Sequence, residues 1–318
     1  MSIAASARNT APADIASVSL AKPLEEIADE LGRSFAEFGF AVVRDHGIDQ
    51  ALIAQAEALS KAFFALPEEA KRAYAKGAGG ARGYTPFGTE RAKGADIFDL
   101  KEFWHVGRDL PEGHPLSEYM APNVWPSEIA GFRETFQRLF AAFEAAGLRV
   151  LEAIALHLGL DRGFFAPTVE NGNSVMRLLH YPPLGPEAPE GAIRAAAHGD
   201  INTITLLLGA EEAGLELLTK AGEWRAIEVP EGALVINVGD MLERLTAGRL
   251  RSTTHRGVNP RGQAASRSRY SMPFFLHFRP DYLIEPLDGM HPEAKGLALE
   301  PITAHDFLAQ RLREINLA

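Results

Sequence analysis

Apolar residues recur at helical spacing near the start of the chain. Leu24, Ile27, Leu31, Phe35 and Phe38 fall at steps of three or four, which predicts a helix over 23–38. The apolar run 40–43 predicts a short strand ended by Asp45-His46-Gly47. A second helix is expected over 50–66, stopped by Pro67. Residues 74–123 break this rhythm with Gly77-Ala78-Gly79-Gly80 and scattered prolines. That stretch also carries Tyr84, Phe87, Phe98, Phe103 and Trp104, so it reads as a long functional loop region. A long helix over 127–158 follows, with Phe132, Phe136, Leu139, Phe143, Leu148 and Leu151 on its apolar face.

Near Ser174 the period changes. Short β-like runs separated by turns are expected at 175–181, 203–208, 215–218, 224–228, 233–237 and 269–277. A final helix is expected over 303–315. Helices first and then many short strands give an α+β chain with a mainly β core, and a double-sheet jelly roll fits that order. The expected organisation is an N-terminal arm over 1–20, rich in Ala and Ser and mobile, then a helical region over 21–165 and a jelly-roll core over 166–318.

Composition narrows the function classes. The chain has 318 residues, 46% of them hydrophobic and 23% charged, as in a soluble globular protein. Without cysteine there are no disulfides, thiolate nucleophiles, cysteine–zinc sites or cysteine-ligated clusters. The net charge of −10 argues against nucleic-acid binding. The densest basic stretch, 249–269, overlaps the candidate site described next. The N-terminus lacks a basic start and an apolar run of secretory length, and no segment approaches a membrane span, so a cytoplasmic protein is expected.

The candidate chemistry lies in the second half. His198-Gly199-Asp200 places an imidazole and a carboxylate two residues apart, on one face if the segment is a strand, with Gly199 turned away. His255 follows far enough downstream for intervening strands to return beside them. Two imidazoles and one carboxylate are the ligand set of a non-haem Fe(II) site with open positions. By itself His-x-Asp is a weak signal; the residues downstream give it weight. Arg269 and Ser271 share a strand face, and a guanidinium fork with a hydroxyl suits a carboxylate. The strand continues into the apolar 272–276, where a charged residue needs an anionic partner. Tyr181, before Pro182-Pro183, reads equally as a donor to the same carboxylate or as a tyrosine capping a strand at a Pro-Pro stop. By alternation His180 faces the other way and reads as structural. Arg177 reads equally as a surface ion-pair residue or as a contact for an anionic substrate, and Phe275 and His277 as pocket lining.

These segments together resemble the isopenicillin N synthase-like family of 2-oxoglutarate/Fe(II)-dependent dioxygenases. The resemblance rests on His198-Gly199-Asp200, 203–208, Asn237-Val238-Gly239-Asp240, 251–256 and Arg269-Tyr270-Ser271. It extends to Gly39-Phe40, Asp45-His46-Gly47 and 63–67, and spans roughly residues 22–315. It implies a distorted jelly roll, or cupin-like double-stranded β-helix, with an N-terminal helical region and flanking helices. It implies Fe(II) on His198, Asp200 and His255. It also implies 2-oxoglutarate with its distal carboxylate on Arg269, Ser271 and Tyr181, O2 as second co-substrate and ascorbate as an accessory reductant. The chain departs from many plant members at Leu179, where they carry Asn. The presence of Asp200 argues against halogenation.

The implied reaction couples oxidative decarboxylation of 2-oxoglutarate to hydroxylation, or related C–H oxidation, of a small organic substrate. Three other readings stand beside it at this stage. One is a related Fe(II) oxidase that does not use 2-oxoglutarate. Another is a non-catalytic jelly-roll binding protein. The third is a zinc hydrolase, since His/Asp/His also suits zinc. Substrate and oligomeric state are not readable from the sequence.

Overall fold

The protein is described here from a computed structural model, which describes residues 14–75, 81–89, 98–183, 194–208, 214–259, 266–290 and 300–314. Residues 1–13 of the expected arm lie outside that set. Its remainder includes β1 (Ser17–Ser19), which pairs in parallel with β2 (Phe40–Arg44).

Between them runs α1 (Leu24–Phe38), which buries Leu24, Ile27, Leu31, Phe35 and Phe38 as its periodicity requires. It ends because Gly39 takes φ 70°, the left-handed conformation that closes a helix, with its N–H donating to Phe35 O. Then come α2 (Gln50–Phe64), capped by the Asp49 carboxylate on the Ala51 N–H, and the short α3 (Glu68–Arg72). The 74–123 stretch was expected to be irregular. Its described residues instead give β3 (Gly83–Thr85) and the wholly buried β4 (Glu102–Gly107). Phe103 and Trp104 therefore lie in a sheet strand, not a loop. Glycines and prolines cluster around these strands, which masks their short alternating pattern.

Helix α4 (Phe132–His157) begins five residues later than the pattern predicts, after Gly131 at φ 77°. The brief α5 (Ala166–Val169) leads into β5 (Val175–Tyr181), which matches the expected bounds. The β region continues with β6 (Ala195–His198), β7 (Ile204–Leu208), β8 (Leu215–Leu218), β9 (Trp224–Ala226) and β10 (Leu234–Val238). Helix α6 (Asp240–Leu245) and β11 (His255–Gly257) follow. The run expected over 269–277 is two strands, β12 (Arg269–Ser271) and β13 (Pro273–Leu276), interrupted at Met272 before the proline. Last come β14 (Leu283–Ile284), β15 (Ile302–Thr303) and α7 (Ala304–Glu314).

The large sheet runs β1-β2-β10-β7-β13-β5-β4-β3, with β12 also on β5. A smaller sheet runs β6-β11-β8-β9. Apart from β1–β2, the pairings in these sheets are antiparallel. This is the expected α+β fold with a mainly β jelly-roll core.

Alternation gives the large sheet two distinct faces. The outer face carries Trp104, Met176, Leu178, Leu206, Ile236 and Phe274, which pack in one core with α1, α2 and α4. Phe143 of α4 stacks on Phe274 with ring centroids 5.2 Å apart and planes 4° apart. The inner face meets the small sheet, with Phe40, Val42 and Val235 packed together with Leu217. The candidate site lies between the sheets. Among the described residues, no helix is long and apolar enough to cross a membrane.

Candidate metal centre and co-substrate pocket

His198 closes β6, and His255 opens β11 directly opposite it in the antiparallel register. Their ring centroids are 4.4 Å apart. Asp200 lies two residues past the end of β6. The turn that follows the strand, rather than strand alternation, thus brings its carboxylate round to the histidines. Asp200 Oδ1 is 3.8 Å from His198 Nε2 and 3.9 Å from His255 Nε2. One ligand atom from each of the three residues lies within 4.8 Å of the others.

Each side chain is held so that its metal-facing atom is available. His198 Nδ1 is 2.7 Å from Ala196 O, and His255 Nδ1 is 3.1 Å from Thr253 O. A carbonyl oxygen only accepts, so Nδ1 carries the proton and Nε2 presents its lone pair. Asp200 Oδ2 accepts from Thr205 Oγ1 at 2.5 Å and from Asn237 Nδ2 at 2.8 Å, leaving Oδ1 for the histidines. Asp200 is only 6% exposed. Burial alone would raise its pKa, but the adjacent imidazoles and these two hydrogen bonds together hold it below the ordinary carboxylate value. His198 is the open member, with 45% of its side chain exposed. Desolvation of its inner edge, and then the neighbouring His255, lower its pKa. A divalent metal requires neutral imidazole and ionised carboxylate ligands, and the lowered His198 and Asp200 values favour those forms. The donor set therefore fits Fe(II) and leaves one side of the ion open.

The residues expected to clamp a carboxylate are also gathered together. Arg269 pairs with Tyr181 across β12–β5, and Ser271 pairs with Leu179. The Arg269 guanidinium lies 5.2 Å from the Tyr181 ring centroid, and its buried Nε has no hydrogen-bond partner among the described residues. Such a nitrogen on a cation calls for an acceptor from outside the chain. A carboxylate of 2-oxoglutarate fits this requirement. His180 faces the other way, as alternation implies. It bonds Glu102 Oε1 at 2.7 Å and Ser268 Oγ at 2.9 Å and stacks on Tyr270. Arg177 is half-buried. It donates to His105 Nε2 at 2.6 Å and packs between the rings of Phe103 and Phe275.

Comparison with known proteins agrees with this geometry. Residues 13–128 match the family described as non-haem dioxygenase in morphine synthesis N-terminal, and residues 172–278 match the 2OG-Fe(II) oxygenase superfamily. The 2-oxoglutarate-Fe(II) type oxidoreductase hxnY of Emericella nidulans is 33% identical over 282 residues, covering 85% of this chain and 79% of hxnY. The chain belongs to the isopenicillin N synthase-like family of 2-oxoglutarate/Fe(II)-dependent dioxygenases.

Solved members of this dioxygenase family share its fold. A 2OG-Fe(II) oxygenase family protein from Caulobacter crescentus is 56% identical with a TM-score of 0.86, covering 95% of this chain and 99% of that one. A full-length Neurospora crassa protein, solved in complex with alpha-KG, is 30% identical with a TM-score of 0.81, covering 93% and 95%. The protein is thus a non-haem dioxygenase that uses Fe(II), 2-oxoglutarate and O2 to oxidise a small organic substrate.

Several residues that the fold brings near these groups carry no periodic signal in the sequence. Thr205 and Asn237 lie within motifs that carried the resemblance, but period-2 alternation alone does not mark a polar residue as a partner of Asp200. Arg194, fully buried with its guanidinium 5.8 Å from the Tyr181 ring, follows a stretch without periodic signal. Arg82 and His105 fell inside the region read as loop.

Proposed function

We propose that His198, Asp200 and His255 hold the Fe(II) of this dioxygenase, and that Arg269, Ser271 and Tyr181 receive the distal carboxylate of 2-oxoglutarate. The observation that carries the reading is the orphaned Arg269 Nε, on the same inner sheet face as the residues that anchor Asp200. The bound ion supplies oxygen activation and cleavage of a substrate C–H bond.

The chain's own residues bind and orient. Ala196 O and Thr253 O hold the proton of each neutral ring on Nδ1, which leaves the Nε2 lone pairs facing the metal position. Asn237 and Thr205 hold Asp200 ionised with Oδ1 inward. Arg269 fixes the co-substrate at one end, and Ser271 adds a hydroxyl donor. Phe103, Phe275 and Leu179 line the inner face with apolar surface, which limits water there. No side-chain general base is required. The reading is of a cytoplasmic enzyme acting on a free small molecule, in keeping with the net charge of −10.

The test is anaerobic titration of metal-free protein with Fe(II), then 2-oxoglutarate, following the weak visible charge-transfer band of the chelate. A band in the wild type, lost in Arg269→Ala at the same co-substrate concentration, supports the assignment. Iron binding without any band would favour the oxidases that dispense with 2-oxoglutarate. Failure to bind iron would overturn the reading.

A further inference from the structure

A second orphaned guanidinium lies at the other end of the same face. Arg82 is only 5% exposed. Its Nη1 donates to Ala81 O at 2.7 Å, while its buried Nε and Nη2 have no hydrogen-bond partner among the described residues. The carboxylate that acts on it, Asp109, is engaged elsewhere: Oδ1 accepts from Asn123 at 2.7 Å and Oδ2 from Gln137 at 2.6 Å. Burial pushes the Arg82 guanidinium down to about 10, with Asp109 opposing only in part. A buried cation is retained in this state at a cost unless an anion completes it.

Its position is set by a glycine. A Cβ on Gly107 would fall 2.0 Å from Arg82 Cζ, so the missing side chain is what admits the guanidinium to that spot. Gly107 shares the β4 face of Phe103 and His105, the face turned towards the metal centre. One continuous row of register partners crosses the large sheet there: Asn237, Thr205, Phe275, Val175 and Gly107. Asn237 and Thr205 hold Asp200; Gly107 carries Arg82. Thr205 and Gly107 are three strand steps apart, roughly 15 Å along the sheet. Asp200 and Arg82 both act electrostatically on His277 and so face that interval from its two ends, with the Arg177 guanidinium 5.4 Å from the Phe275 ring between them.

Arg82 is also remote from the co-substrate clamp. Val175, beside Gly107, and Tyr181, beside Arg269, are opposite ends of β5, about 20 Å apart. One 2-oxoglutarate does not span both. We propose that Arg82 anchors a carboxylate of the primary substrate, so that the enzyme selects small carboxylic acids and presents their hydrocarbon part to the metal. This rests on the assignment of the metal and 2-oxoglutarate sites made above.

The test uses full-length protein loaded with Mn(II) in place of iron and saturated with 2-oxoglutarate. The probe is acetate, the carboxylate that any such site admits, with acetamide as the neutral control. Proton relaxation of the acetate methyl group reports binding near the paramagnetic ion, and water-proton relaxation reports Mn(II) loading independently. The expected result is saturable enhancement for acetate, unaffected by further 2-oxoglutarate, and none for acetamide. Arg82→Gln should weaken acetate binding about tenfold or more, Arg82→Lys less, with the affinity for 2-oxoglutarate unchanged. Equal behaviour of acetate and acetamide in the wild type, or acetate binding retained in Arg82→Gln, overturns the proposal. The wild-type comparison decides even if the Gln variant does not fold. Failure to load Mn(II) or 2-oxoglutarate would instead sink the site assignment, and this inference with it.

Discussion

Thr205 donates its hydroxyl to Asp200 Oδ2 at 2.5 Å, on the carboxylate oxygen turned away from both histidines. Thr205 lies on the large sheet, while His198 and His255 belong to the small one. The hydrogen bond thus ties the metal's acidic ligand to the opposite wall of the jelly roll. Thr205→Val keeps the shape and removes the donor, leaving Asn237 as the remaining anchor. Metal affinity should fall by about 10- to 100-fold, the range for lost outer partners of metal ligands. Mn(II) titration followed by water-proton relaxation measures it; an unchanged affinity would mean that Asn237 alone holds the carboxylate.

Arg269→Gln should act on the co-substrate alone. A charge-assisted hydrogen bond is worth about 1.5–3 kcal/mol, so the KM for 2-oxoglutarate should rise roughly ten- to a hundredfold. Arg269→Lys keeps the charge but not the fork, and should fall between. Metal affinity should not move. Succinate formation against 2-oxoglutarate concentration gives the KM, and loss of metal binding in Arg269→Gln would count against separate roles.

The residues that gather at the centre were readable because their chemistry is rare in combination, not because their local structure was. His198 and Asp200 come together through a turn beyond β6, although strand alternation suggested the same outcome. Periodicity found α1, α2 and β5 to within about two residues, since each presents one long apolar face. It failed over 74–123, where β3 and β4 are short and one face of β4 carries Phe103, His105 and Gly107 into the site. A strand that serves an active site loses its apolar alternation for functional reasons. Asp45-His46-Gly47 shows the reverse. His46 Nε2 is 2.9 Å from Gly232 O, and its Nδ1 accepts from the Ile48 N–H, so this family motif builds a turn.

Gly39→Ala should be destabilising for two separate reasons. At φ 70° an L-residue is strained by about 1 kcal/mol or more. A Cβ there would also lie 2.3 Å from Arg251 O and 2.5 Å from Thr253 Oγ1. We expect a loss of at least about 2 kcal/mol in urea unfolding. The displaced segment leads directly to His255, so metal affinity should fall as well. A variant with wild-type stability would mean that the 251–253 backbone yields freely.

His277 should make stability depend on pH. It is 7% exposed, its Nδ1 donates to Phe275 O at 3.0 Å, and burial pushes its imidazole down to about 4. In the unfolded chain a histidine titrates near 6.5. Between those values the unfolded state binds more protons than the folded state, so stability falls as pH drops from about 6.5 towards about 4. Going from pH 7 to pH 5, this one group should cost roughly 2 kcal/mol. His277→Gln cannot charge and removes that slope, whatever it does to stability at pH 7. Urea unfolding of both proteins at the two pH values isolates the effect as a difference of differences. If the variant loses as much stability as the wild type between pH 7 and pH 5, His277 is already solvated or paired when protonated, and the low imidazole value is wrong.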